Sequence, residues 1–242
     1  MIIAHRGVSF TFTENSLPAF DASWDLDVDG IEGDYHLTKD GEIVCIHDED
    51  TERVCKTKAI IHHSTLQDLK ALKLSYKGES NLNLKIPTLS EVLQTAPKGK
   101  KIFIEIKCGI EIVSPLLNQL SKSKMNADDI VIISFNSDVI KKLKDMNPIY
   151  KALFLYSCED GRDFDGLIDE ALEINANGIS TDNESSKLFV DKVIEAGLEY
   201  HSWTIDDADV ALKLIEWGSS SITTIDPDSI IKWSQGYIKF IP

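Results

Sequence analysis

Apolar runs of strand length alternate along this chain with segments whose apolar positions recur every three to four residues, the two periods that separate strands from amphipathic helices. Strands are expected over residues 2–4, 30–35, 102–106, 130–134, 152–156, 178–181, 200–204 and 221–224. A helical pattern follows each, over 17–26, 89–96, 111–121, 137–144, 164–174, 185–196, 208–217 and 227–233. Eight strand–helix units predict an α/β fold, a closed (β/α)8 TIM barrel rather than an open doubly wound sheet. Local punctuation agrees. Thr88-Leu89-Ser90-Glu91 has the form of a capping box opening the second helix, and Asn147-Pro148 and Gly197 stand where helices should stop.

The alternation breaks once. After Asp34, a Lys39-Asp40-Gly41 turn and a further apolar run at 43–46 read as a hairpin, and a long segment separates it from the helix at Leu89. Within that segment Ser64-Thr65-Leu66-Gln67 resembles a capping box for a short helix running to Leu72. So long a connection inside a compact fold is a small subdomain or a functional loop. Because it follows a barrel strand, it is expected over the C-terminal mouth, where barrels carry their sites. No Gly/Ser linker or low-complexity tract intervenes, so residues 1–242 read as one barrel domain with a hairpin/helix insertion after strand 2, at about 43–86.

Composition narrows the partners. The chain is 43% hydrophobic, enough for a large core, and 25 Lys and Arg against 40 Asp and Glu leave a net charge of −15. A surface so acidic repels polyanions, which argues against nucleic acid and against stable association with anionic membranes. No apolar run reaches the ~18 residues of a membrane span. Met1-Ile2-Ile3 enters a strand pattern without the features of a leader, so a cytoplasmic location is expected. Cys45, Cys55, Cys108 and Cys158 are scattered without paired spacing, as reduced and mostly buried thiols would be.

Polar residues collect at one edge of the expected barrel. His5 and Arg6 end the first strand, and Glu32 and Asp34, two apart and so on one face, end the second. Glu105 and Lys107 repeat that spacing on the third, His47 and Asp48 end the hairpin strand, and the seventh carries Trp203. Ionisable groups buried in apolar strands are costly unless paired or metal-bound. Glu32, Asp34 and Glu105 offer three hard oxygens from neighbouring strands, suited to one divalent metal ion, Mg²⁺ or Ca²⁺, and no Cys and His cluster competes for zinc. Arg6 and Lys107 beside such an ion suit a phosphate. His5 and His47 arrive from different strands and are placed to flank a phosphorus centre, one taking a proton from the nucleophile and the other giving one to the leaving oxygen. The competing reading of the acids is an internal salt-bridge network, but three carboxylates against one lysine leave excess negative charge that a cation relieves. Among the remaining residues, His36 reads at most as a rim or substrate contact, His62 and His63 as solvated, and His201 as sharing the face of Trp203. Trp24, Trp217 and Trp233 read as wall packing, Ser134 and Asp182 as rim, and the acidic stretch 159–165 as a solvated loop or helix start.

The ordered motifs resemble one family. They are His5-Arg6-Gly7 with Glu14-Asn15-Ser16, Gly30-Ile31-Glu32-Gly33-Asp34 before Leu37-Thr38-Lys39-Asp40-Gly41, and His47-Asp48 before Thr51 and Arg53. Ile86-Pro87-Thr88-Leu89-Ser90-Glu91, Glu105-Ile106-Lys107 and Trp203-Thr204-Ile205 complete the set. From His5 to about Pro227 the chain is similar to the cytoplasmic bacterial type of glycerophosphodiester phosphodiesterase. The resemblance implies metal-dependent hydrolysis of a small-molecule glycerophosphodiester to sn-glycerol 3-phosphate and an alcohol such as choline or ethanolamine. By that resemblance Glu32, Asp34 and Glu105 bind the metal, His5 and His47 act as acid and base, Arg6 and Lys107 hold the phosphate, and Trp203 lines the glycerol side. Attack by water and attack by the substrate's own 2-hydroxyl through a cyclic phosphate both remain open, as does a homodimer. Ser16 replaces the family's usual Thr, Asp206 stands where Asn is common, and Val54-Cys55-Lys56 and Thr224-Ile225-Asp226-Pro227 depart from the usual runs. These positions fall in loops at the mouth and bear on alcohol specificity. The alternatives are a lysophospholipase D or sphingomyelinase D-like phosphodiesterase, disfavoured by the acidic surface, and a non-catalytic phosphodiester-binding barrel, disfavoured by the intact histidine pair.

Overall fold

Strand and helix follow one another as the hydrophobic periods require. The computed structural model describes residues 1–75, 83–158, 163–182 and 185–238, the last five of these by backbone alone. The first half contains β1 (Ile2–His5), α1 (Leu17–Asp25), β2 (Gly30–Leu37), β3 (Ile43–Cys45), α2 (Glu52–Cys55), α3 (Leu66–Ala71), α4 (Leu89–Thr95), β4 (Lys101–Ile106) and α5 (Val113–Leu120). The second half contains β5 (Ile130–Ser134), α6 (Ser137–Met146), β6 (Lys151–Tyr156), α7 (Phe164–Glu173), β7 (Gly178–Thr181), α8 (Lys187–Glu195), β8 (Glu199–Ser202), α9 (Ala208–Glu216), β9 (Ser221–Thr224) and α10 (Pro227–Ile238). Parallel pairing runs from β1 through β9, β8, β7, β6, β5 and β4 to β2, and β2 pairs back onto β1. The ring is therefore a closed eight-stranded barrel. β3 lies outside it, antiparallel to β2 with Tyr35 opposite Cys45, as the hairpin pattern predicts.

Because successive strand residues point to opposite sides, each strand feeds two cores. Ile31 and Tyr35 of β2 and Ile102, Ile104 and Ile106 of β4 face outward into the large core shared with the helices. Ile3, Phe103, Val131, Ile133, Leu153 and Leu155 form a smaller cluster inside the ring. Below them, His201 is held between the Ser221 hydroxyl, 2.7 Å from Nδ1, and Glu199 Oε2, 3.1 Å from Nε2, while Lys151 Nζ bonds the same carboxylate. Apolar floor and polar plug together leave the inward positions at the opposite end free for chemistry.

The inserted segment has its own core of Val44, Ile46, Val54, Cys55, Ile61, Leu69, Leu74 and Ile86. Residues 76–82 of the expected insertion, and 159–162 of the acidic stretch, lie outside the described residues. Beyond them Asp163 caps α7 and Asp165 pairs with Lys192. Some local expectations need correction. The capping box of α3 is centred on Thr65 and closed by Asp68, not by Gln67, since only the third helical residue reaches back to the cap. The short α2 lacks a hydrophobic period long enough to be read in advance, and a 3-10 turn at Ile110–Ile112 precedes α5. β8 ends at Ser202, so Trp203 lies one residue beyond the strand, although its N–H still donates to Thr181 O at 2.8 Å. All four cysteines are free, Cys45 and Cys55 buried and the other two partly so. No helix among the described residues is long and apolar enough to cross a membrane.

Leu69 is fully buried at the centre of the insertion's core. Leu69→Ala is expected to cost about 2–5 kcal/mol of that segment's stability. Hydrogen exchange should quicken across the insertion while the barrel strands keep their protection.

Candidate active site

Register brings the acids together. The β1–β2 pairing sets His5 beside Glu32, and the β2–β4 pairing sets Asp34 beside Glu105. All three carboxylates belong to the inward phase of their strands, and Glu32, Asp34 and Glu105 are only 2%, 0% and 8% exposed. One oxygen from each lies within 4.8 Å of the others. Burial, with the neighbouring charges of Asp34 and Glu105, pushes the Glu32 carboxyl well above the usual range. Burial and Asp34 lift Glu105 to about 7. Asp34 is also pushed up by burial, but Arg6 and Lys107 outweigh this and hold its carboxyl below the ordinary value. Glu32 Oε1 and Asp34 Oδ1 are buried without a hydrogen-bond partner. Unpaired buried oxygens of this kind are uncommon, and here they face a cluster short of positive charge, so the donor set fits a hard divalent cation.

Two cations and one amide brace the acids. Arg6 and Gly7 both adopt left-handed backbone, at φ 56° and 79°. A Cβ on residue 7 would come 2.6 Å from the backbone carbon of Ala19, so only glycine lets the loop after β1 pass this close to α1. The turn aims the Arg6 N–H at Glu32 Oε2 (3.0 Å) and returns the guanidinium to Asp34 Oδ2, 3.1 Å from Nε, and to Glu14 Oε1, 3.2 Å from Nη1. Asn15, also left-handed, donates through Nδ2 to Asp34 Oδ2 (2.8 Å) and accepts the Asp34 N–H on Oδ1 (3.1 Å). Lys107 Nζ donates to Glu105 Oε1 at 2.7 Å and lies 3.7 Å from Asp34 Oδ1.

The two histidines approach from different sides. His5 Nε2 is 3.8 Å from Glu32 Oε2, and its Nδ1 is 3.4 Å from the Thr204 hydroxyl. Burial and the Arg6 charge lower its pKa to about 4, so the ring is neutral near pH 7 and able to accept a proton. His47 follows β3, with Nδ1 2.7 Å from Asp48 Oδ1 and Nε2 3.2 Å from Lys107 Nζ. Partial burial raises the Asp48 carboxyl, but bonds from Arg53 and His47 prevail and hold it at about 2. An ionised Asp48 fixes the proton on His47 Nδ1 and leaves Nε2 facing the other groups. A cavity of about 280 Å³ is lined by His5, Arg6, Glu32, His47, Glu105 and Lys107 on its polar side and by Phe103, Ile133, Phe135, Leu155 and Trp203 on its apolar side.

The structure thus brings His5, His47, Arg6, Lys107, Trp203, Glu32, Asp34 and Glu105 to one mouth. His201 is not among them. It shares the inward phase with Trp203 but sits two residues earlier, deep in the barrel. His36 is buried and its Nε2 lies 3.0 Å from His47 O, bracing the loop below a separate cavity. His62 and His63 are exposed, as expected. Trp24 joins the helix-side core and donates to Thr95, while Trp217 lies under Lys213. The Ser134 hydroxyl donates to Ile106 O, and Asp182 accepts from Ser157 and the Cys158 N–H. The sequence also allows Arg6 to neutralise Glu14, and the two are paired; Asn15, Asp48 and Arg53 stand in the family-like motifs without an assigned role, and no motif marks Phe135. Phe135 is 45% exposed and packs edge-on to Trp203 at 5.5 Å, a bulky aromatic directly after a strand-end serine.

The family model described as the glycerophosphoryl diester phosphodiesterase family matches residues 5–229. Over 243 aligned residues, 96% of each chain, the sequence is 33% identical to the glycerophosphodiester phosphodiesterase of Caldanaerobacter subterraneus subsp. tengcongensis. The crystal structure of the glycerophosphodiester phosphodiesterase of Thermotoga maritima superposes with a TM-score of 0.80 at 25% identity, over 96% of this chain and 97% of that one. A phosphodiesterase of Oleispira antarctica, solved with its product sn-glycerol-3-phosphate, has the same fold, with a TM-score of 0.86 at 22% identity over 99% and 96% of the two chains.

Replacing Asn15 removes both of its bonds to Asp34 and puts the new residue on left-handed backbone, so the cost reports the whole brace. Asn15→Ala should lower the unfolding free energy by about 1–3 kcal/mol, the cost of leaving a buried carboxylate unsatisfied, as read by urea denaturation.

Proposed function

The chain belongs to the glycerophosphoryl diester phosphodiesterase family, and we propose that it hydrolyses glycerophosphodiesters to sn-glycerol 3-phosphate and a free alcohol. In this reading Glu32, Asp34 and Glu105 hold Mg²⁺ or Ca²⁺, and the observation that carries it is the buried acid triad in which Glu32 Oε1 and Asp34 Oδ1 accept no hydrogen bond. A bound divalent cation there supplies Lewis-acid polarisation of a phosphoryl oxygen and offsets the charge that gathers on it.

The remaining work falls to the side chains. Arg6 and Lys107 converge on the acid cluster, where their charges bind and orient the phosphate of the diester. Trp203 and Phe135 form the apolar corner against which the glycerol carbons pack, excluding water from that side. His5, kept neutral and bonded toward Thr204 beside that corner, takes the proton from the attacking hydroxyl. As the bond from phosphorus to the alcohol oxygen breaks, His47 acts in its doubly protonated form, its Nδ1–H held by Asp48, and gives the Nε2 proton to that oxygen. The attacking hydroxyl belongs to water or to the glycerol 2-position. A cyclic phosphate in the early products marks the second route.

Purified protein supplied with Mg²⁺ or Ca²⁺ should release glycerol 3-phosphate from glycerophosphocholine faster than it cleaves lysophosphatidylcholine, and EDTA should abolish turnover. His47→Ala should lower kcat by about 10²–10⁴-fold, the usual share of a general acid or base, and Glu32→Ala should remove metal-dependent turnover. Metal-loaded protein that leaves glycerophosphocholine, glycerophosphoethanolamine and glycerophosphoglycerol intact would refute the assignment.

A further inference from the structure

Arg53 lies outside the cavity, on the short α2 of the insertion, and it is bonded to both sides of the mouth. Its Nη1 and Nη2 donate to Glu14 Oε2 and Oε1, each at 2.8 Å, and its Nε donates to Asp48 Oδ2 at 2.6 Å. The second oxygen of Asp48 meets His47 Nδ1 at 2.7 Å, and Glu14 Oε1 also accepts from Arg6 Nη1 at 3.2 Å. One unbroken chain of charged contacts therefore runs from His47 through Asp48, Arg53 and Glu14 to Arg6 and on to Asp34. The groups on either side of the Arg53–Glu14 contact belong to different parts of the fold. His47, Asp48 and Arg53 follow β3 in the insertion, whereas Arg6 and Glu14 lie in the loop between β1 and α1.

We propose that Arg53 is a positioning residue for phosphodiester cleavage, a clasp that fixes the imidazole of His47 and the guanidinium of Arg6 relative to one another. An isolated exposed ion pair contributes little. Here the planar guanidinium engages one carboxylate through two nitrogens and a second through its third, a geometry that lysine cannot reproduce. Each of the bridged carboxylates then orients one group expected to meet the substrate. The neighbouring Val54 and Cys55 are buried in the insertion's own core, and Thr51 ties the segment together through Thr57 O and the Ala59 N–H. Truncating the half-exposed Arg53 side chain therefore leaves that core its packing.

The inference rests on the hydrolase reading and is tested on the full, metal-loaded chain with glycerophosphocholine. Arg53→Ala should keep a near-native melting profile while kcat falls about 10–100-fold, the range for groups that orient site residues. Free guanidinium ion at millimolar concentration should restore activity several-fold, because it can occupy the vacated space between Glu14 and Asp48. Arg53→Lys should be intermediate. Adding Arg53→Ala to Asp48→Asn should cost little more than Asp48→Asn alone, as expected for groups acting in one chain. Lys58→Ala, in the same segment but paired with Asp50 and Glu52, should leave kcat unchanged. A folded Arg53→Ala protein with wild-type kcat would overturn the clasp. So would a loss that guanidinium does not restore and that adds in full to Asp48→Asn. Both outcomes require an active wild-type enzyme, so an inactive wild type counts against the hydrolase reading and is told apart from failure of the clasp.

Discussion

Mutual repulsion of Glu32, Asp34 and Glu105 at the open end of the barrel is the constraint around which the mouth is arranged. Burial alone disfavours each charge, and each carboxylate raises the cost of the next. The protein answers with Arg6 and Lys107, with the Asn15 amide, and with a backbone N–H aimed at Glu32. That last contact requires Arg6 to hold a left-handed conformation uncommon for a long side chain, a local strain kept in place by Gly7 against α1 and by the ion pairs at the guanidinium. Even so, Glu32 Oε1 and Asp34 Oδ1 accept no hydrogen bond. A cluster braced this heavily and still short of positive charge has the donors to hold a cation, the basis of the metal-dependent function proposed above.

The barrel makes such a cluster affordable. Its inward positions are sorted by depth, with the His201, Glu199 and Ser221 plug at one end, a hydrocarbon floor of Phe103, Ile133 and Leu155 in the middle, and the acids above. The floor keeps water from approaching the acids from below, so charge introduced there acts at low dielectric. The insertion adds what the strands cannot reach. It has its own core, carries His47 over the rim, and is tied to the barrel loop by the carboxylates on either side of Arg53.

Much of this was legible in the sequence, for a definite reason. Period-two spacing places Glu32 with Asp34, and Glu105 with Lys107, on one face whatever the neighbouring strands do. Eight repeats then leave few ways to close the sheet. What periodicity does not carry is depth. His201 and Trp203 share a face, yet one is in the polar plug at the far end of the barrel and the other in the wall of the cavity, because strand register decides which end of the barrel a residue meets. Backbone handedness at Arg6 was equally hidden, since a long side chain does not announce it, whereas Asn15 is of a type that tolerates left-handed backbone. The bridging role of Arg53 was invisible because its two partners are separated from each other by more than thirty positions and meet only when the insertion folds back. The Thr88 capping box was readable because cap and partner are both local.

A crystal structure of the protein grown with Mg²⁺ or Ca²⁺ tests the central claim most directly. The account predicts one density peak among the Glu32, Asp34 and Glu105 carboxylates, with oxygen distances of about 2.1 Å for Mg²⁺ or about 2.4 Å for Ca²⁺. Carboxylates that stay linked only to Lys107 and Arg6 at saturating metal, with no peak between them, would contradict it.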